Sequence, residues 1–335
     1  MRILWITPGF AADEQDFNCI PPMQLLALEL LRQGVDLHIV TLEYPFRSAP
    51  YRWHGATVYP CYGRNRRWMK PLILWRALRF FGSTNPVTAI HSFWLGWASG
   101  LGERLSRQHG VRHFTTLMGQ DVLAQNRKFM YFLNAARVAR FAAVSDFQNE
   151  VFEKNTGLRA KYVIPWGVEQ SEIPSALPAS RPIDVIGVGS LVPVKNWEKW
   201  LNVVALTVRT TPSLRAELIG DGIDRPKLER LVQRLGLEKN VRFAGSLPRP
   251  EVLSKMREAK VLLHTAHYES FGYVLAEAAM NGCRVAGTPV GGMAQFGTSA
   301  ENEAELSRLL LDALRKDIQV QPFVAFTMQQ TAEAY

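Results

Sequence analysis

"HYESFGYVLAEAAMNGCRVAGTPVGG" (267–292) sets two glutamates, Glu269 and Glu277, eight positions apart in an otherwise apolar segment. Just before it, "KVLLHTA" (260–266) is a short aliphatic run of the kind that forms a strand buried in a parallel sheet. From Tyr273 to Met280 the residues are mostly good helix formers, so a helix is predicted after a turn at Gly272. "RVAGT" (284–288) reads as the next strand. The stretch is therefore a strand–helix–strand unit, the building block of a doubly wound parallel sheet.

A helix starting just beyond a strand presents unpaired backbone N–H groups and a positive dipole end at the sheet edge. Gly272 lets a ligand approach the backbone closely. Glu269 lies ahead of that helix and can reach an uncharged polyhydroxyl group. Glu277 lies more than a turn inside it and points elsewhere. A carboxylate accepts two hydroxyl hydrogen bonds well, so each Glu suits a vicinal diol such as a sugar or a ribose. The plainer alternative makes Glu269 a helix-start carboxylate and Glu277 an exposed helix residue. Leu275, Ala276, Ala278 and Ala279 surround Glu277 with apolar neighbours, and burying a lone carboxylate is costly, which favours ligand contact.

The same alternation extends in both directions. "RILWIT" (2–7), "DLHIVTL" (36–42), "VTAIHSF" (87–93), "HFTTL" (113–117) and "FAAVS" (141–145) are predicted strands, with helices at 22–33, 97–109, 127–138 and 147–156. Periodicity stops at 162–182, where Pro, Ser and Ala accumulate as in a linker. It restarts with strands at 183–190, 214–220 and 241–245 and helices near 197–210 and 226–236. Two βαβα blocks imply an α/β chain with two doubly wound parallel sheets facing each other across a cleft, domains 1–168 and 169–320. Ligands of such sheets sit beyond the carboxyl ends of the strands.

Bulk properties agree with two domains: 335 residues, 47% hydrophobic and 21% charged. No apolar run is long enough to span a membrane, and "MRILWITPGF" enters a strand without a signal-peptide pattern. The three scattered cysteines, Cys19, Cys61 and Cys283, fit reduced thiols and a cytoplasmic location. A net charge of +9 calls for an acidic partner: nucleic acid, anionic membrane or phosphorylated substrate.

Two further strand ends carry candidates. "GVGSLVPVKN" (187–196) places Lys195 beyond a glycine-bearing strand end, which suits either a phosphate or an ordinary turn with a surface lysine. In "LIGDGIDRPKLERL" (218–231), Asp221 reads as a turn former or cap, with ligand contact the lesser alternative. Separately, "YGRNRRWMKPLILWRALRFFG" (62–82) combines Arg64, Arg66, Arg67, Lys70, Arg76 and Arg79 with Trp68, Trp75, Phe80 and Phe81, and has no acid. It fits either an anionic lipid surface or a domain helix whose arginines face an acceptor cleft or solvent. Nucleic acid is disfavoured, since no recognition motif accompanies the charge.

Taken together, "GVGSLVPVKN", "LIGDGIDRPKLERLVQRLGLEKNVRFAG", "YESFGYVLAEAAMNGCRVAGTPVGG" and the closing "FTMQQTAEAY" resemble the retaining GT-B enzymes of glycosyltransferase family 4. Glu269 to Glu277 matches that family's E-x7-E signature. The resemblance implies that Glu277 holds the ribose of a nucleotide sugar (a UDP- or GDP-sugar) and Glu269 contacts the donor sugar. The amides around Phe271, Gly272, Tyr273 and Val274 receive the pyrophosphate, with Ser270, Gly189 and Ser190 beside them, and Lys195 neutralises the leaving phosphates. It further implies no metal and no cofactor, in keeping with the absence of a DxD motif. His91, in "IHSFWLGWASGLGERL", would approach donor and acceptor, with a core histidine as the rival reading. Gly119 and Asp121, in "TTLMGQDVL", fall on the acceptor side, and Asp13 and Asp16 sit in the first strand–helix loop. A last helix near 322–333, within a closing segment 321–335, would return to the first domain.

Departures from the family pattern are Ser190 in place of an arginine, Met118 in place of a common histidine, Trp166 in place of a frequent Asn and Gln295 in place of a common Glu. After "GGMAQ" the usual loop and strand are abbreviated. The expected activity is transfer of a sugar to an acceptor hydroxyl with anomeric retention, in bacterial polysaccharide or glycolipid synthesis. The acceptor would be a saccharide or lipid-linked, placing the enzyme in the cytoplasm or on the inner face of the membrane. The rival is a non-catalytic paralogue that binds a nucleotide sugar or a partner enzyme, supported by Ser190 and Met118. A nicotinamide-dependent dehydrogenase is disfavoured, because no G-x-G-x-x-G follows the first strand.

Overall fold

The computed structural model describes residues 1–66, 69–83, 86–131, 133–315 and 321–335. The chain divides into two compact units, Met1–Trp166 with Met328–Tyr335, and Gly167–Thr327. The change of unit falls inside the Pro- and Ser-rich stretch 162–182, where the only regular pieces described are a two-residue strand and a short 3-10 turn.

In the first unit the elements run β1 (Arg2–Gly9), α1 (Pro21–Arg32), β2 (Asp36–Tyr44), β3 (Tyr51–Trp53), β4 (Ala56–Pro60), α2 (Lys70–Ser83) and β5 (Ala89–Phe93). They continue with α3 (Trp97–His109), β6 (Arg112–Thr116), α4 (Ala135–Val138), β7 (Phe141–Ala143), α5 (Asp146–Thr156) and β8 (Tyr162–Val163). The sheet order is β3-β4-β2-β1-β5-β6-β7-β8, parallel except for the β3–β4 hairpin. β1 lies inside the sheet with Leu4, Trp5 and Ile6 fully buried, which is why it reads as a continuous apolar run. α5 starts where the Ser145 hydroxyl accepts from the Gln148 amide at 3.0 Å and ends at left-handed Gly157.

Two local departures from the expected pattern have physical causes. The expected helix 127–138 is instead a 3-10 segment, Ala124–Phe129, followed by the one-turn α4, with residue 132 outside the described set. Asn134 accepts from the Arg137 amide at 2.9 Å and so begins a new helix there. The unexpected β3–β4 hairpin turns on His54 and Gly55, both at positive φ (45° and 101°), as a tight two-residue hairpin loop requires.

The second unit runs β9 (Ile183–Val188), α6 (Trp197–Val208), β10 (Ala216–Ile219), α7 (Arg225–Leu235), β11 (Val241–Gly245) and α8 (Arg249–Glu258). It continues with β12 (Ala259–His264), α9 (Tyr273–Met280), β13 (Arg284–Gly287), α10 (Met293–Phe296), β14 (Thr298–Ser299) and α11 (Glu303–Arg315). All neighbouring strands pair in parallel in the order β11-β10-β9-β12-β13-β14. The chain works outward from β9 to β11, then resumes at β12 on the other side of β9. The direction reverses between β9 and β12, and the crevice beyond their carboxyl ends is where such a sheet binds ligands. β14, the strand after "GGMAQ", is cut to two residues.

The chain re-enters the first unit as α12 (Met328–Ala334), which packs on α1. There the Thr331 hydroxyl donates to the Pro165 carbonyl at 2.8 Å.

Candidate functional site

β9 and β12 bring two candidates from the sequence together. After β9 the chain makes a 3-10 turn, Pro193–Lys195, and Asn196 (φ 52°) then caps α6 by accepting from the Lys199 amide. This turn aims Lys195 across the switch point, and its Nζ lies 2.5 Å from Glu269 Oε2. Both side chains are mostly shielded, at 22% and 18% exposure. Burial pushes the Glu269 carboxyl up, but Lys195 and His264 outweigh that and hold it below the usual carboxylate range.

Glu269 stands just ahead of α9. Gly272 occupies the N-cap in the left-handed region (φ 81°), and no side chain caps the helix. The amides of its first turn therefore lack side-chain partners on the side where Glu269 and Lys195 sit. Phe271 is buried, and its carbonyl accepts from Gly292 at 2.6 Å, which ties the "PVGG" loop under the turn. Ser270 is buried, while Tyr273 and Val274 are half-buried at the helix start. On the β9 side, Gly189 (φ 148°) precedes exposed Ser190, whose carbonyl accepts from the Trp197 indole at 2.9 Å. Asp221 behaves as a turn residue, accepting from the Gly222 amide at 2.8 Å and from Arg225.

Glu277 is buried as expected, but it is not alone. Arg249 Nε donates to its Oε1 at 2.8 Å, and the guanidinium also forks onto Glu172, with Nη2 to Oε2 at 2.8 Å. The expectation of an uncompensated carboxylate is corrected by this triad. Among the described residues no hydrogen bond engages Glu277 Oε2, so one oxygen is left over. Burial still pushes the Glu277 carboxyl up, with Arg249 acting against it.

His264, the last residue of β12, belongs to the site although the sequence reading passed over it. It is 4% exposed, its Nε2 lies 3.6 Å from Glu269 Oε2, and no group hydrogen-bonds that nitrogen among the described residues. Burial first, then Lys195, pulls its pKa to about 4, so the ring is neutral near pH 7. A histidine closing an apolar strand three positions before "HYES" was the available signal.

The first unit accommodates its candidates differently. Asp121 is buried and accepts from the amides of Leu95 (2.7 Å), Gly119 (2.7 Å) and Met118 (3.3 Å). Its carboxylate thus organises the loops after β5 and β6. These loops, with Pro8, Trp94 and Phe129, line a cavity of about 290 Å³ beyond the strand ends. His91 faces the interior instead: Nε2 bonds Thr116 Oγ1 at 2.7 Å, and the ring packs against Phe93, Phe114 and Tyr335. Burial, and then His113, pulls its pKa to about 3. These are the surroundings of a core histidine, which corrects the expectation that His91 reaches the substrates. Asp16 accepts from the Ala12 amide and the Tyr44 hydroxyl, both at 2.9 Å, and so shapes the first loop, while Asp13 accepts from Gln15.

In segment 62–82, Arg67 and Trp68 lie outside the described residues, as do the side chains of Lys70 and Phe80. Met69, Ile73 and Ala77 face the core, while Leu72 (36% exposed) and Trp75 (55%) face outward beside Arg79. Arg76 is turned back onto the Cys61 carbonyl at 3.0 Å. Among the described residues, no helix is long and apolar enough to cross a membrane, and no cluster of three or more His, Cys, Asp or Glu could hold a metal ion.

Two parallel-sheet α/β units of this topology have GT-B architecture, and the comparisons agree. The family model described as Glycosyltransferase Family 4 matches residues 23–172, and that described as Glycosyl transferases group 1 matches 169–312. The chain belongs to this glycosyltransferase family. D-inositol 3-phosphate glycosyltransferase of Thermomonospora curvata is 33% identical over 136 residues, 38% of this chain and only 31% of that protein. The 2-deoxystreptamine N-acetyl-D-glucosaminyltransferase of Streptomyces fradiae is 24% identical over 88% of this chain and 82% of its own. Among solved structures, sucrose-phosphate synthase from Thermosynechococcus elongatus superposes with a TM-score of 0.73 at 17% identity, covering 99% of this chain and 94% of that one. Anabaena HepE in complex with UDP gives 0.68 at 17%, covering 100% and 94%.

Proposed function

We propose that this protein is a retaining glycosyltransferase that moves a sugar from a nucleoside diphosphate to an acceptor hydroxyl. The observation that carries the reading is the convergence of Lys195, Glu269 and the uncapped start of α9 at the strand-order reversal of the second unit. A pyrophosphate placed there meets one ammonium and the first amides of α9. These stabilise the charge that develops as the phosphate leaves. Glu269 accepts from hydroxyls of the donor sugar, and Glu277, through the oxygen that Arg249 leaves over, accepts from the ribose. The acceptor attacks from the face the phosphate leaves, and a phosphate oxygen takes its proton, so no protein nucleophile is required. The UDP in the HepE complex makes a UDP-sugar the first donor to test, with a GDP-sugar next.

The acceptor side is assigned to the first unit, at the cavity organised by Asp121 and Gly119. A saccharide fits the polar and aromatic lining there. A lipid-linked acceptor would explain the outward Leu72, Trp75 and Arg79 of α2, as a patch for anionic headgroups on the inner face of a bacterial membrane. The deciding experiment is a thermal-shift and calorimetric screen with UDP, GDP, ADP and their sugars, followed by turnover with the sugar that binds. Binding with hydrolysis or transfer supports the enzyme. Binding with no turnover on any acceptor favours a non-catalytic relative, and no binding at all rejects the nucleotide site.

A further inference from the structure

We infer that Arg249 is the positioning residue of the nucleotide site: it fixes the orientation of Glu277 and keeps its free oxygen charged for the ribose. The inference rests on the nucleotide reading above and adds a residue outside the E-x7-E segment. Arg249 opens α8, and its side chain is 12% exposed. One edge of its guanidinium holds Glu277 Oε1, and the other forks onto Glu172, which lies in the 3-10 turn Gln170–Glu172. Its plane lies against Tyr273, 6.0 Å from the ring centroid, and the Tyr273 hydroxyl donates to Gly167 O at 3.2 Å. Arg249 is thus itself held by Glu172 and Tyr273, and through it so is the carboxylate it grips.

The charged and titratable groups around Glu277 are Arg249 from α8, Glu172 and Glu169 from the turn, and Tyr273 from its own helix. Arg257 also bonds the Glu172 carbonyl and the Asn281 side chain, bracing the same turn. Of these only Arg249 is a cation directly on Glu277, and burial already pushes that carboxyl up. Without Arg249 the carboxyl would take up a proton more readily and lose half its value as a hydroxyl acceptor. A lysine would restore charge but not the fork, because an ammonium cannot hold two carboxylates in one plane.

The test is calorimetry of the full chain with UDP, GDP and ADP, each titrated from about pH 8.5 to about pH 6, toward the direction in which burial pushes the Glu277 carboxyl. The parent, Glu277→Ala, Arg249→Met and Arg249→Lys are compared. The parent should bind one nucleotide with little pH dependence, and Glu277→Ala should lose about tenfold or more in affinity. Arg249→Met should weaken progressively as pH falls. Arg249→Lys, the milder change should the Met variant not fold, should stay pH-flat yet bind roughly tenfold more weakly than the parent. Parent-like affinity in Arg249→Lys, or a parent-like profile in Arg249→Met while Glu277→Ala has lost binding, overturns the positioning role alone. Unchanged binding in Glu277→Ala, or no nucleotide bound by the parent, overturns the nucleotide reading and this inference with it.

Discussion

Lys195 Nζ and Glu269 Oε2 are 2.5 Å apart, so the cation assigned to the phosphates is already paired with the carboxylate assigned to the sugar. On the proposed reading, a donor phosphate competes with Glu269 for Lys195 and so loosens the carboxylate toward the sugar hydroxyls. Lys195→Met should abolish turnover and also destabilise the protein by about 3–5 kcal/mol, since a mostly buried carboxylate is left without its partner. Thermal unfolding of the free variant checks the second half. Stability equal to the parent's would mean the pair contributes nothing in the free protein.

Glu269→Gln keeps the shape of that side chain and removes its charge. Turnover should fall by about a hundredfold or more, as befits a group acting on the reacting sugar, while affinity for the free nucleotide is largely kept. Collapse of nucleotide binding in this variant would reassign Glu269 to the phosphates.

Ser190 stands where the family resemblance implies an arginine, and its side chain is exposed beside the Lys195 turn. Ser190→Arg should tighten nucleotide binding by about 1–3 kcal/mol if its guanidinium reaches the phosphates. Unchanged or weaker binding, measured by calorimetry, would show that the loop serves another group.

Asp121 should leave a signature in acid. Burial pushes its pKa up to about 6 from the ordinary 3.8, against the pull of four backbone amides. A raised carboxyl contributes its stability in the protonated form, fully below about pH 3.8, and loses it as pH climbs through about 6. The melting temperature of the parent minus that of Asp121→Asn should accordingly shrink between those two values. A difference that grows over that range would mean the carboxylate is ionised throughout.

Membrane attachment is tested on α2. Trp75→Ser with Arg79→Ser should reduce co-sedimentation with anionic vesicles while nucleotide affinity stays constant, and salt should release the parent. Equal sedimentation of parent and variant would leave the outward face of α2 as a solvated surface.

The strands on either side of each site were legible because parallel strands buried on both faces read as short, uniform apolar runs. Glu269, Glu277 and Lys195 stood out as candidates too, since each follows such a run at a fixed spacing. Arg249 and Glu172 did not. They meet across 77 positions, and α8 opens with "RPEVL", whose weak apolar periodicity hid the helix altogether. His91 misled for the opposite reason, because a histidine near a strand end looks the same in sequence whether it faces ligand or core. Its partners, Thr116 and Tyr335, come from β6 and from beyond the second unit.

Tyr335 has a consequence for how the molecule is made. Its hydroxyl bonds Thr116 at 3.0 Å and its ring lies against His91 and Phe114, so α12 and the residue after it complete the interior of the first unit. On a ribosome, Met1–Trp166 emerges first yet stays unfinished while the whole of Gly167–Thr327 is synthesised. The later-made unit is able to fold before the earlier one closes. Premature termination anywhere in the second unit would leave an open aromatic core in the first as a target for chaperones and proteases.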